Sequence, residues 1–136
     1  MGMYTEFNIA LELRAEDENV INVLKFMADY PIEEEDLILP SHELFKTARW
    51  RFMLLGGSYY FTGKPHCSFK YDDIAKSYFL TVRSNIKNYD DEIELFLDWI
   101  KPYLYEMDGD FIGYKMYEED RKPTLIYFNG ITYDFE

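Results

Sequence analysis

Only two stretches of this chain repeat their apolar residues at helical spacing, and this most constrains its fold. Val20, Val23, Leu24 and Met27 make one stripe; Ile93, Phe96, Leu97 and Ile100 make the other, at steps of three and four. Almost everywhere else the pattern has period two. Phe7, Ile9, Leu11 and Leu13 alternate with Glu6, Asn8, Ala10 and Glu12, as in a strand buried on one side. Two one-sided helices of about three turns each cannot cover one another completely, and an antiparallel sheet carrying both on one face satisfies them.

The remaining segments fill in that sheet. Asp17 is placed to cap the first helix, and Pro31 to stop it. Pro40-Ser41 opens a helical turn through Phe45. Arg49 to Leu55 reads as a strand, with Trp50, Phe52 and Leu54 on one face and Arg51 and Met53 on the other. Gly56-Gly57-Ser58 turns it, Tyr59-Tyr60-Phe61 extends again, and Gly63-Lys64-Pro65 turns once more. His66 to Tyr71 and Ser77 to Ile86 are strands joined at Asp72-Asp73. Asn88 and Asp90 can cap the second helix, whose first turn holds Asp90, Asp91, Glu92 and Glu94, where the helix dipole favours negative charge. Pro102 ends it. After the Asp108-Gly109 turn, strands run from Phe111 to Tyr117, Thr124 to Phe128 and Ile131 to Phe135. The last two flank Asn129-Gly130, which suits a type I′ hairpin turn. Leu125-Ile126-Tyr127-Phe128 is apolar on both faces, so it is covered on both sides or contributes to an interface.

The expected order is therefore β-α-β-β-β-α-β-β-β: a single α+β domain over residues 1–136, mainly antiparallel sheet with two helices on one face. In its pattern of elements it resembles the ferredoxin-like split βαβ arrangement. The length of 136 residues suits one domain with one core. Acidic chains that stay disordered are poor in aromatic residues, whereas this one is 19% aromatic and 48% hydrophobic.

Charge separates along the sequence. The total is -12. Residues 1–41 carry ten acids against two bases, residues 88–136 thirteen against four, and residues 42–87 three against eight. Cys67 is the single cysteine, so no intrachain disulfide can form. The start lacks a basic segment followed by an apolar one, and Phe52-Met53-Leu54-Leu55 is far shorter than the roughly 18 residues of a membrane span. These features point to the cytoplasm and to no membrane partner.

No motif assigns a reaction. His66 and Cys67 are adjacent in a strand and so point to opposite faces; the pair reads as a structural cysteine beside an exposed histidine. Metal sites need three or four ligands at workable spacing, and neither C-x-x-C nor H-x-x-x-H occurs. Asp108-Gly109-Asp110 lacks the rest of a calcium loop, and Gly56-Gly57-Ser58 lacks the lysine and helix of a phosphate loop. No catalytic residue, metal or cofactor is expected. The interleaved rings and cations of Arg49-Trp50-Arg51-Phe52 and Phe69-Lys70-Tyr71 look like a stacking platform for single-stranded nucleic acid, but the rings are better explained as core and the total charge repels phosphate.

The expectation is a non-enzymatic acidic binding or inhibitor protein that engages a basic protein partner, by analogy with immunity proteins and phage-encoded inhibitors, whose carboxylates steer association. The expected contact residues are Glu33, Glu34, Glu35 and Asp36 in one loop and Glu118, Glu119 and Asp120 in another. Two alternatives stand beside it: a homo-oligomer, and an enzyme or small-ligand domain with an aromatic-lined pocket between sheet and helices.

Overall fold

The computed structural model describes residues 3–58 and 64–136. In chain order it contains β1 (Thr5–Leu13), α1 (Glu18–Met27), β2 (His66–Asp72), β3 (Ser77–Ile86), α2 (Glu92–Ile100), β4 (Asp110–Tyr117), β5 (Thr124–Phe128) and β6 (Tyr133–Phe135). The strands form one six-stranded sheet in the order β2-β3-β1-β4-β5-β6, and every neighbouring pair is antiparallel. The first four strands have the split βαβ order of a ferredoxin-like arrangement, and β5 and β6 extend the sheet beyond β4. This is the α+β fold expected from the pattern of elements.

The helices share one face. Phe7, Ile9, Leu11 and Leu13 of β1 and Leu80 and Val82 of β3 are buried there, against Val20, Val23, Leu24 and Met27 of α1 and Ile93, Phe96, Leu97 and Ile100 of α2. Phe7 meets Phe96 edge to face at 6.4 Å. Asp17 caps α1 by accepting from the Asn19 N–H. The helix ends at Met27 with Ala28 as its cap, and the left-handed backbone of Asp29 (φ 69°) follows ahead of Pro31. At α2 the Asn88 side chain accepts from the Ile93 N–H, although Asp91 occupies the cap position in a left-handed conformation (φ 57°).

The segment Arg49–Leu55 is not the strand that its alternation predicts. Trp50–Phe52 is a 3-10 turn, following another at Glu43–Lys46. With about three residues per turn, Trp50 and Met53 fall on the inner side and are almost fully buried, while Phe52 is 66% exposed. These turns join the helical layer as a run of aromatic contacts. Phe26 meets Trp50 at 5.9 Å, Phe45 meets Trp50 at 5.0 Å, and Phe45 meets Trp99 at 4.9 Å. The extension expected at Tyr59-Tyr60-Phe61 lies outside the described residues.

The final hairpin forms, but not with a two-residue turn. Residues 129–132 connect β5 to β6, and only Gly130 has positive φ, at 89°. Asn129 instead accepts from the N–H groups of Ile131 and Thr132 through its side-chain oxygen. β5 is flanked by β4 and β6; Ile126 and Phe128 are buried, whereas Leu125 and Tyr127 remain half-exposed on the opposite side.

Candidate partner-binding surface

The two acidic loops are surface segments on different elements. Glu34–Asp36 forms a 3-10 turn after α1, with Glu33 as its preceding cap residue. Glu118, Glu119 and Asp120 make the turn after β4. All seven side chains are exposed. Among the described residues no hydrogen bond or ion pair joins one loop to the other, and the loops differ in how far their acids are already engaged.

Three of the seven have structural partners. Glu34 receives Arg51 Nε at 2.6 Å and Nη2 at 3.2 Å. Glu118 Oε1 accepts from the Tyr4 N–H at 2.7 Å while its own N–H donates to the Tyr4 carbonyl at 3.0 Å, which ties the start of β1 to the end of β4. Asp120 Oδ2 accepts from the Tyr117 N–H at 3.2 Å and closes its own turn. Glu33, Glu35, Asp36 and Glu119 make no side-chain hydrogen bond or ion pair among the described residues.

Folding also redistributes the charge blocks of the sequence. Arg51 from the basic middle pairs with Glu34 from the amino-terminal block, and Arg49 lies 3.7 Å from Asp90 and 3.8 Å from Glu92 of the carboxy-terminal block. Glu92 is fully buried; one oxygen accepts from the Asp90 N–H at 2.9 Å and the other faces Arg49. Part of the basic middle is therefore neutralised within the chain.

Two further acids of α2, Glu94 and Asp98, are similarly occupied. Burial pushes Glu94 up, but hydrogen bonds from Lys115 and Asn88 outweigh it and hold the carboxyl below its ordinary range. Asp98 is held low by hydrogen bonds from His42, at 2.8 Å, and Lys101, at 3.1 Å. His42 therefore serves α2 and not the His66–Cys67 pair. His66 is exposed, and Cys67 on the opposite side packs against the core. Burial raises the Cys67 thiol to about 12. Among the described residues no group of three or more His, Cys, Asp and Glu is arranged to hold a metal ion, and no helix is long and apolar enough to cross a membrane.

A further feature lies on the sheet face away from the helices. His66, Arg83, Asn8, Tyr114 and Leu125 are successive cross-strand neighbours on β2, β3, β1, β4 and β5. The adjoining row contains Ser68, Thr81 and Ala10, which are small. A trough of about 510 Å³ results, lined by Ala10, Thr81, His66, Arg83, Phe111 and Tyr114. The Tyr114 hydroxyl donates to Glu6 at 2.6 Å, and that carboxylate also receives the Asn8 amide at 2.6 Å. The hydrogen bond to Glu6, followed by burial, raises the Tyr114 pKa, while Arg83 opposes the rise. Sequence reading missed this trough because its walls come from four strands; the signal present was the alternate-residue set Asn8–Ala10, Thr81–Arg83 and His66–Ser68.

Comparison with known proteins adds no assignment: no protein-family model, no curated protein and no solved structure matches the chain.

Proposed function

We propose that this chain is a non-enzymatic acidic binding protein that engages a basic protein partner through its exposed loops. The observation that carries the reading is the set of four carboxylates, Glu33, Glu35, Asp36 and Glu119, exposed on a folded scaffold and committed to no hydrogen bond or ion pair among the described residues. Glu34, Glu118 and Asp120 complete the proposed contact set and also shape and anchor the loops through their hydrogen bonds. Carboxylates of one sign raise the encounter rate with a basic surface, and salt suppresses that rate.

The experiment compares the parent chain with a variant carrying Glu33→Gln, Glu35→Gln, Asp36→Asn and Glu119→Gln. Each is immobilised and exposed to extract from the native host, and the basic protein recovered is then purified and titrated. The expected result is an association rate that falls steeply with salt for the parent and is lower, with a flatter salt dependence, for the variant. Equal rates for both chains, or a parent rate insensitive to salt, would remove the proposal.

A further inference from the structure

We propose that a groove beside the first acidic loop anchors the basic partner by receiving one aliphatic side chain flanked by arginine or lysine, which rests on the reading of the loops as a contact surface for a basic protein. The groove lies between the end of α1 and the 3-10 turn at Trp50–Phe52, and its volume is about 320 Å³. That is near the lower limit for small-molecule pockets, roughly 300 Å³, and suits a single side chain better than a large ligand. Phe26, Met27, Ile32, Phe52 and Leu55 make the lining largely apolar. Met27 is buried and Phe26, Ile32 and Leu55 are half-buried, whereas Phe52 stands 66% exposed. An aromatic ring left in water beside a concave apolar surface gains by being covered.

The polar groups of the lining decide the charge of the occupant. Arg51 is already committed: its Nε and Nη2 donate to Glu34, and its Nη1 donates to the Ala48 carbonyl at 3.4 Å. Tyr30 donates its hydroxyl to the Phe69 carbonyl, which fixes that ring. Asp29 is exposed, and its carboxylate makes no hydrogen bond or ion pair among the described residues. Ile32 leads directly into the loop of Glu33, Glu35 and Asp36, whose carboxylates are uncommitted as well. An apolar centre with a polar rim is the usual anatomy of a protein interface. Here the rim carries one sign, so it selects a cation on either side of the apolar residue and repels an acidic segment. A second copy of this chain, with its net charge of -12, meets the same repulsion.

The test titrates the full chain by calorimetry with three capped five-residue peptides. The first has leucine at its centre and two arginines on each side; the second has serine in place of leucine, and the third has glutamates in place of the arginines. The expected result is saturable binding of the leucine peptide, about tenfold tighter than the serine peptide, and no binding of the glutamate peptide. Phe52→Ser and Ile32→Ser remove apolar surface from the turn and from the loop side, and circular dichroism melts confirm that each is folded. Each should weaken the leucine peptide about tenfold, the scale of a truncated interface anchor, and leave the serine peptide unchanged. Asp29→Asn, which keeps a residue tolerant of the left-handed backbone, should weaken both basic peptides about threefold. Equal affinity for the leucine and serine peptides, binding of the glutamate peptide, or a leucine preference that survives both serine variants overturns the groove; if the four-carboxylate variant still weakens both basic peptides, the loops stand without it. A leucine preference lost in the serine variants, with peptide affinity unchanged in the four-carboxylate variant, upholds the groove and removes the loops. A dimer in light scattering that Phe52→Ser dissolves assigns the groove to a second copy and also overturns the proposal.

Discussion

Replacing Trp50 and Phe52 separately by alanine tests the conversion of the Arg49–Leu55 segment from strand to 3-10 turn. A strand places these two rings on one face and makes their losses similar. The turn places Trp50 inside at 1% exposure and Phe52 outside at 66%. Truncating Trp50 removes on the order of 150 Å² of buried ring, which at about 25 cal/mol per Å² is about 4 kcal/mol. Its contacts with Phe26 and Phe45 each contribute about 0.5–1 kcal/mol more, and partial collapse of the site offsets some of the total, so about 4 kcal/mol is expected for Trp50→Ala. Phe52→Ala should cost about 1 kcal/mol or less, because most of its ring is already in water. Urea unfolding followed by far-ultraviolet circular dichroism measures both, since it does not depend on the indole being removed. With a slope of about 2 kcal/mol per molar, the Trp50 variant should unfold about 2 M earlier than the parent. Because the loss is a large share of typical domain stability, Trp50→Leu provides a milder step in the same direction. Equal losses at the two positions would refute the argument, whatever their absolute size.

Acid should destabilise the protein partly through Glu94. Its folded pKa is depressed, so its contribution is present above the unfolded value near 4.5 and is lost as pH falls through the lower folded value; urea midpoints across that window should fall less steeply for Glu94→Gln than for the parent. Cys67, with its thiol raised to about 12, should resist iodoacetamide at neutral pH in the folded protein and react readily once urea is added, as mass spectrometry will show. Gly113→Ala should lower stability by about 2–4 kcal/mol in a thermal melt, because the new Cβ meets the Asn8 oxygen at 2.0 Å and the Ile9 Cα at 2.8 Å, both backbone atoms that cannot rotate away.

What could be read directly from the sequence was whatever one-sided burial writes into it. β1 shows its alternation because helices cover one of its faces and its other face remains partly open, and α2 shows its stripe for the same reason. Trp50, Phe52 and Leu54 gave the same alternation for another cause. Packed over helices, that segment follows a three-residue repeat, and the pair that carries it is Trp50 and Met53. The hairpin at Asn129 was legible as a reversal, but its length was decided by side-chain bonds from Asn129 to the loop backbone. The acidic loops stood out as clusters. That Glu34 would meet Arg51, and Glu118 the backbone of Tyr4, depends on tertiary approach between distant positions and leaves no local mark. The trough is still less local, because its lining comes together only once β1, β2, β3 and β4 are paired side by side.

The central place of β1 has a consequence for biogenesis. It pairs on one side with β3 and on the other with β4, so that Thr5 faces both Ile86 and Tyr117. During synthesis the apolar side of β1 emerges before either strand that flanks it, since β3 and β4 both lie far later in the sequence. Phe7, Ile9, Leu11 and Leu13 must wait, with only α1 nearby in sequence to shelter them. Closing such long loops before the contacts reward it slows folding and exposes sticky intermediates. A circular permutant beginning near β3 would shorten that wait.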